Sequence, residues 1–184
     1  WRSIALYLND EYRISDEFTL QAGLRYNQFI LDADFSENAD YYPFPFTTAE
    51  INNGALTGSI GGVYKPTGSL AIKANFGTAF RSPNVDDIGK VFDSEPGSVV
   101  VPNPDLQAEY AYNFDLGVAK VFDDYLKVDL TGYYTVLQNA MVRRDYELNG
   151  RDSIMYDGIL SRVQAIQNAA VANVYGVQAG MELK

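Results

Sequence analysis

Polar and apolar residues alternate along most of this chain with a period of two. Over residues 69–79 one parity reads Leu70, Ile72, Ala74 and Phe76, and the other reads Ser69, Ala71, Lys73, Asn75 and Gly77. Over 109–119 one parity is Tyr110, Tyr112, Phe114, Leu116 and Val118, against Glu109, Ala111, Asn113, Asp115 and Gly117 on the other. Successive side chains of a strand point to opposite faces, so each segment predicts a strand with one apolar and one polar or small face. Five further segments alternate with less sharp ends: 4–13, 18–30, 55–64, 125–137 and 174–184. A soluble strand usually has about 5–6 residues, and a tilted membrane-spanning strand about 9–11. The seven segments, each 10 to 13 residues long, match the second class.

The connections support the same reading. Residues 14–17, 65–68 and 123–124 are tight turns, and 31–54, 80–108 and 138–173 are long connections. Short and long therefore alternate in strict order, as they do in outer-membrane barrels with short periplasmic turns and long extracellular loops. A soluble β-sandwich acting as a secreted binding module fits the composition, but explains neither the strand lengths nor this order. Aromatics near strand ends (Tyr12, Phe18, Tyr64, Phe80, Tyr110, Phe122 and Tyr125) suit interfacial girdles, although strands favour Tyr and Phe in any setting. The expected fold class is all-β, an antiparallel up-and-down transmembrane β-barrel of which the chain supplies about seven strands. Within the third long connection, Asn149-Gly150 predicts a two-residue hairpin turn between 142–148 and 152–156. The connection 31–54, with Pro43 and Pro45, predicts an irregular loop.

Composition narrows the function. The chain has 14 Tyr, 10 Phe, 15 Gly, no Cys and no His, and a net charge of −10 from 24 acidic and 14 basic residues. The acidic balance argues against nucleic acid. Without His or Cys there is no Ser-His-Asp triad, no Cys-His pair, no His-based zinc site and no thiolate or imidazole metal ligand within it. No window of 18 apolar residues is present to make a transmembrane helix. No leader precedes Trp1, which already lies in an alternating run, so the chain is expected to be an excerpt of a longer protein.

Around Phe80 more specific motifs occur. Residues 77–83 read Gly-Thr-Ala-Phe-Arg-Ser-Pro, followed by Asn103-Pro104-Asp105-Leu106 and then Glu109 at the start of the next strand. Near the end come Asn168 and a Val-Tyr-Gly-Val-Gln run containing Gly176, with Gln178 where Glu is more usual. This resembles TonB-dependent outer-membrane receptors, in which a rising strand ends in F-R-x-P and the following loop returns through N-P-x-L to a Glu. Phe80, Arg81, Pro83, Asn103, Pro104, Leu106, Glu109 and Gly176 are the residues that carry the family motif. The resemblance covers about 71–184, and the earlier strands fit the same barrel.

The resemblance implies a 22-stranded barrel plugged by an N-terminal domain. Residues 1–184 would be part of that one barrel domain, with the plug and closing strands outside it. It implies a receptor, not an enzyme, that imports a small nutrient ligand using energy relayed by the TonB complex through an N-terminal segment outside this chain. An iron complex, siderophore or haem, is the expected ligand. A glycan importer is the alternative, and a porin or barrel enzyme fits the strands but not the motifs. The related F-R-A-P and N-P-N-L boxes mark the haem-receptor branch. Here Ser82 and Asp105 stand at the variable positions, and the His often found between the boxes is missing. No cofactor is implied. Outer-membrane lipid and lipopolysaccharide are the expected surroundings.

Several residues admit two readings. Pro83 removes a ladder donor and biases Ser82 to extended geometry, so pairing should stop there. Arg81 at the rim is a candidate anion ligand or a cation held by loop carboxylates and carbonyls. Arg143, Arg144 and Tyr146 are further ligand-binding candidates. The two arginines could equally pair with lipopolysaccharide phosphates or acidic loops. Asp86, Asp87, Asp93 and Glu95, and the acidic residues of 32–40, could bind calcium through oxygen ligands or form a solvated acidic rim.

Overall fold

The alternating segments become one continuous sheet. The computed structural model describes residues 1–38, 46–89 and 91–183. Seven long strands carry it: β1 (Arg2–Arg13), β2 (Phe18–Asp34), β3 (Thr48–Thr67), β4 (Leu70–Arg81), β7 (Glu109–Phe122), β8 (Leu126–Asp145) and β10 (Ile159–Leu183). Three short strands, β5 (Phe92–Glu95), β6 (Ser98–Val101) and β9 (Ser153–Tyr156), and one helical turn, α1 (Val85–Gly89), lie in the long connections. The sheet order is β1-β2-β3-β4-β7-β8-β10-β6-β5, with β9 also on β10. Every pair of neighbouring long strands is antiparallel, so this is an up-and-down wall. No helix among the described residues is long and apolar enough to cross a membrane.

Register aligns the parities. Phe76 lies opposite Phe114, Phe114 opposite Tyr134, and Tyr134 opposite Tyr175. One step away, Asn75 faces Asp115, Asp115 faces Tyr133, and Tyr133 faces Gly176. One face of the wall is thus largely apolar and the other largely polar, with Asp10 of β1 a charge on the apolar parity opposite Ala22. The apolar face is uncovered: Leu116 is 48% exposed, Leu130 52% and Val177 71%. The polar face carries its own hydrogen bonds. Asn75 Nδ2 donates to Asp115 Oδ2 at 3.2 Å, Asn113 Nδ2 donates to the same oxygen at 3.1 Å, and Thr135 Oγ1 donates to Asn113 Oδ1 at 2.6 Å.

Most strands are longer than the alternation predicts: β2, β3, β8 and β10 continue past the apolar belt at the long-loop end, while β3 and β7 run on to Thr67 and Phe122 at the short-turn end, so the turn expected over 65–68 closes at Gly68-Ser69. β2 and β3 stay paired through Leu31–Ile51 to Asp34–Thr48, where an irregular loop is expected from the sequence. Beyond them the Ser36 hydroxyl and backbone N–H hydrogen-bond the Asp34 carboxylate and hold its pKa below the ordinary value. Pro43 and Pro45, which prompted the loop expectation, lie outside the described residues. In this extension the polar parity turns apolar, as Phe29, Leu31, Ala33, Ala49 and Ile51. Leu31, Ala49 and Ile51 are buried with Phe35 and with Ile88 and Leu106 of the 80–108 connection, and Met141 and Ile166 pack alongside. Fully burying an Ile or Leu side chain contributes about 1.5–3 kcal/mol, which gives the connection a reason to fold onto the polar side of the wall. A second cluster, Val99, Val101, Leu148, Val163 and Ala165, forms where β6 pairs in parallel with β10.

The third connection departs from the expected hairpin. Asn149 and Gly150 do take positive φ, 53° and 73°, and Leu148 and Arg151 exchange both backbone hydrogen bonds around them. The flanking segments then diverge. Residues 142–145 pair with β10 at 164–167, and β9 pairs with β10 around a second turn at Asp157-Gly158, with φ of 47° and 78°. Asp-Gly is as good a type I′ signal as Asn-Gly. Pairing with the long β10 retains the backbone bonds of the β8 extension, which a local hairpin would have taken.

A Cys introduced at successive positions of 110–122, a chain otherwise free of Cys, should react alternately with lipid-soluble and water-soluble reagents when the intact protein sits in bilayers. Uniform labelling by the water-soluble reagent would contradict a two-faced wall.

Candidate functional site

The motif residues converge at the rim where the 80–108 connection leaves β4 and returns to β7. β4 ends at Arg81, as expected before Pro83, which is fully buried. Register places Arg81 opposite Glu109 and Phe80 opposite Tyr110, with ring centroids 6.4 Å apart. Arg81 Nη1 donates to Glu109 Oε2 at 3.0 Å, while Nη2 donates to Asp87 Oδ2 at 2.9 Å and to Oδ1 at 3.2 Å. The half-exposed guanidinium therefore joins the end of one strand, the start of the next and the helical turn between them.

Asp87 is positioned by a reciprocal cap. The Asp87 N–H donates to Asn84 Oδ1 at 2.9 Å, and the Asn84 N–H donates to Asp87 Oδ2 at 3.0 Å. Asn84 is the N-cap and Asp87 the N3 residue, an Asn-x-x-Asp form of the capping box. The Asn-x-x-Asp spacing of Asn84 and Asp87 is the sequence signal that sets Asp87 apart from the other acidic residues of this connection. Among the described residues no three acidic side chains converge on a metal site. The Asp93 side chain and Asp40 lie outside the described residues.

The returning half of the connection is tied down separately. Asn103 is buried. Its Nδ2 donates to the Ile166 carbonyl at 2.8 Å, and its Oδ1 accepts from the Asp105 N–H at 3.1 Å across the Pro104-Asp105 turn. Leu106 enters the buried cluster beside Ile88. Asn168 accepts from the Gln107 N–H at 2.7 Å and donates to the carbonyls of Gln107 and Asn139, at 2.9 and 2.8 Å. It can do so because β8 and β10 shift register here, and a bulge leaves backbone groups without ladder partners. Glu109 closes the system by accepting the Met141 N–H on Oε1.

The other candidates lie elsewhere. Gly176 is in the wall, opposite Tyr133, and a Cβ there would come within 2.6 Å of the Tyr133 hydroxyl. It is the gap that lets the ring lie across its neighbour strand. Arg143 and Arg144 are exposed and adjacent in β8, so they point to opposite faces. Arg143 stands opposite Ile166, beside the first buried cluster, and Arg144 opposite Ala165 of the second. Tyr146 packs against the second cluster. Arg162 pairs with Asp145 nearby. Chemically the rim offers hydrogen bonding and charge for binding; the Asp87 and Glu109 carboxylates are engaged with Arg81 and backbone donors.

Residues 2–184 match the family described as TonB dependent receptor-like, beta-barrel. The chain is 28% identical over 187 aligned positions to hemoglobin-haptoglobin utilization protein B of Neisseria meningitidis serogroup A, covering 94% of this chain and 23% of that protein. The FrpB iron transporter of Neisseria meningitidis (F3-3 variant) is similar with a TM-score of 0.63 and 16% identity, over 99% of this chain and 23% of that one. The hemophore receptor HasR of Serratia marcescens, a double mutant solved with its hemophore HasA and heme, is similar with a TM-score of 0.73 and 17% identity, over 97% of this chain and 31% of that one. The chain thus spans about a quarter of the length of the proteins it matches.

Two substitutions test the rim. Arg81→Gln should leave Asp87 and Glu109 without their shared cation and loosen 84–108 by about 1 kcal/mol, read as roughly fivefold faster amide exchange there. Asn103→Ala strands the Ile166 carbonyl and the Asp105 N–H, and should cost about 1–3 kcal/mol locally. Unchanged exchange in both variants would mean that packing alone holds the connection.

Proposed function

Because the chain belongs to the TonB-dependent receptor β-barrel family, we propose that the protein it forms part of is an outer-membrane receptor for TonB-dependent uptake of an iron complex, either haem or a ferric siderophore. Members of the family are outer-membrane β-barrel receptors and transporters of Gram-negative bacteria. The observation that carries the reading is the family match across residues 2–184, on a wall whose apolar face is uncovered along every long strand. An outer-membrane strand needs such a face for lipid, with its polar parity toward the lumen. Iron is favoured over glycan because the relatives are named for haemoglobin-haptoglobin utilization, iron transport and hemophore recognition.

In this proposal the rim residues divide by role. Arg81, with both carboxylates on it, positions the connection and is a poor free anion site. Arg144 is exposed and makes no ion pair among the described residues, so it is the better candidate for an anionic ligand or a lipopolysaccharide phosphate. Arg143, on the opposite face, and Tyr146 remain candidates for ligand contact on the loop side. The TonB complex would engage a segment outside residues 1–184.

The test is uptake by a strain lacking the full-length gene, under iron limitation, with radiolabelled ferric siderophore, haem and oligosaccharide supplied separately. Loss of one iron compound, restored by the gene, is the expected result. Loss of oligosaccharide uptake alone would move the protein to the glycan importers. A defect with none of the three would overturn the iron reading.

A further inference from the structure

One charge interrupts the apolar face of β4, β7, β8 and β10, and it stands at the foot of a trough. Among the described residues the outward parity over 70–80, 110–122, 126–136 and 175–183 is apolar, aromatic or glycine at every position except Thr78 and Lys120. Lys120 lies opposite Leu70 on one side and Val128 on the other. Its Nζ sits 5.0 Å from the centroid of the Phe122 ring, and it makes no ion pair among the described residues, including with Asp123 and Asp124 of the adjacent turn. An ammonium on a lipid-facing parity is costly at depth, but tolerable at the interface, where it can reach water or a headgroup.

Directly above it the surface is hollow. Phe114, Leu116, Val118, Leu130, Tyr134 and Val177 surround Gly132 in an open trough of about 450 Å³. Nothing lies within 4 Å of the position a Cβ of Gly132 would take, so no neighbouring side chain fills the gap. The upper wall is stiff: the Tyr134 and Tyr175 rings stack with centroids 6.4 Å apart, and the Tyr134 hydroxyl donates to Asn173 Oδ1 at 2.8 Å.

The dimensions match one leaflet. Phe114 and Lys120 are six residues apart on one strand, or about 20 Å at ~3.3 Å per residue. With a strand tilt of about 40° this is roughly 15 Å along the membrane normal, half of a hydrocarbon core of about 30 Å. Lys120 lies at the short-turn end, which in such barrels is periplasmic. That leaflet of an outer membrane holds phospholipid, whereas lipopolysaccharide lies in the other.

We propose that the trough over Gly132 binds one acyl chain of a periplasmic-leaflet phospholipid, with the Lys120 ammonium paired to its phosphate. The proposal rests on the membrane placement given above. It adds a lipid site outside the ligand-transport path. Occupancy would fill the hollow without altering the backbone ladder.

The experiment uses the full-length receptor, purified in a maltoside detergent and titrated with phosphatidylglycerol under native mass spectrometry. One lipid should be retained above the nonspecific background. Lys120→Gln should weaken that lipid about fivefold, the contribution of one basic group near an anionic headgroup. Gly132→Leu, which fills the trough, should abolish it while the barrel keeps its resistance to unfolding in cold detergent. Equal retention in all three proteins, or displacement of the lipid by lipopolysaccharide in the unsubstituted receptor, would overturn the site. A nitroxide at Leu130→Cys in bilayers separates the two layers of inference. Collision with oxygen but not with a water-soluble nickel chelate upholds the membrane placement, so that a lipid result against the site counts against the site alone. Access by nickel would overturn both.

Discussion

Backbone pairing is the constraint from which the rest of this structure follows. A strand in an apolar environment has no water to satisfy its N–H and C=O groups, so each must bond to a neighbouring strand. Between neighbouring long strands that demand is met by antiparallel pairing. Once the ladder is made, a one-residue slip would turn every side chain to the wrong face. Register is therefore held by the two-faced pattern, and register in turn sets Arg81 opposite Glu109 and Tyr133 opposite Gly176.

The buried core of the chain lies at the rim, not within the wall. In the belt the outward side chains remain uncovered and the inward ones form a hydrogen-bonded polar surface. Past the belt the inward parity is apolar, and the 80–108 connection folds over it with Ile88 and Leu106. The polar motif residues then act as ties between that connection and the strands. Each engages a group the irregular backbone would otherwise leave unpaired: Asn103 the Ile166 carbonyl, Asn168 the backbone of Gln107 and Asn139, and Glu109 the Met141 N–H. Such groups cost more when left unmade than they return when made.

This changes how the motifs bear on function. In this chain the Phe80-Arg81-Ser82-Pro83 and Asn103-Pro104-Asp105-Leu106 segments anchor a long connection at the rim of the sheet. Arg81 is a structural cation shared by two carboxylates. The side chains that the anchoring leaves exposed, Arg144 among them, are the ones on which the proposed ligand contact rests. The chain contains no His, so no imidazole within residues 1–184 can ligate a metal.

Much of this was legible in one dimension. Seven alternating runs, their lengths and the short-long order of their connections are local or periodic properties, and they determined the number of long strands, the two faces and the antiparallel order, though not the short strands β5 and β6. Pro83 stops a strand by its own covalent geometry, and Asn149-Gly150 makes its turn for the same kind of reason. What lay beyond the sequence is what depends on distant partners. β2 and β3 extend because Leu31 meets Ile51 and both meet Ile88. The 142–145 segment passes over its nearby hairpin partner because β10 offers a longer ladder. Arg143 and Arg144 read as one basic pair along the chain, yet strand geometry sends them to opposite faces. Alternation tells which side chains share a face; only the folded chain decides what covers that face.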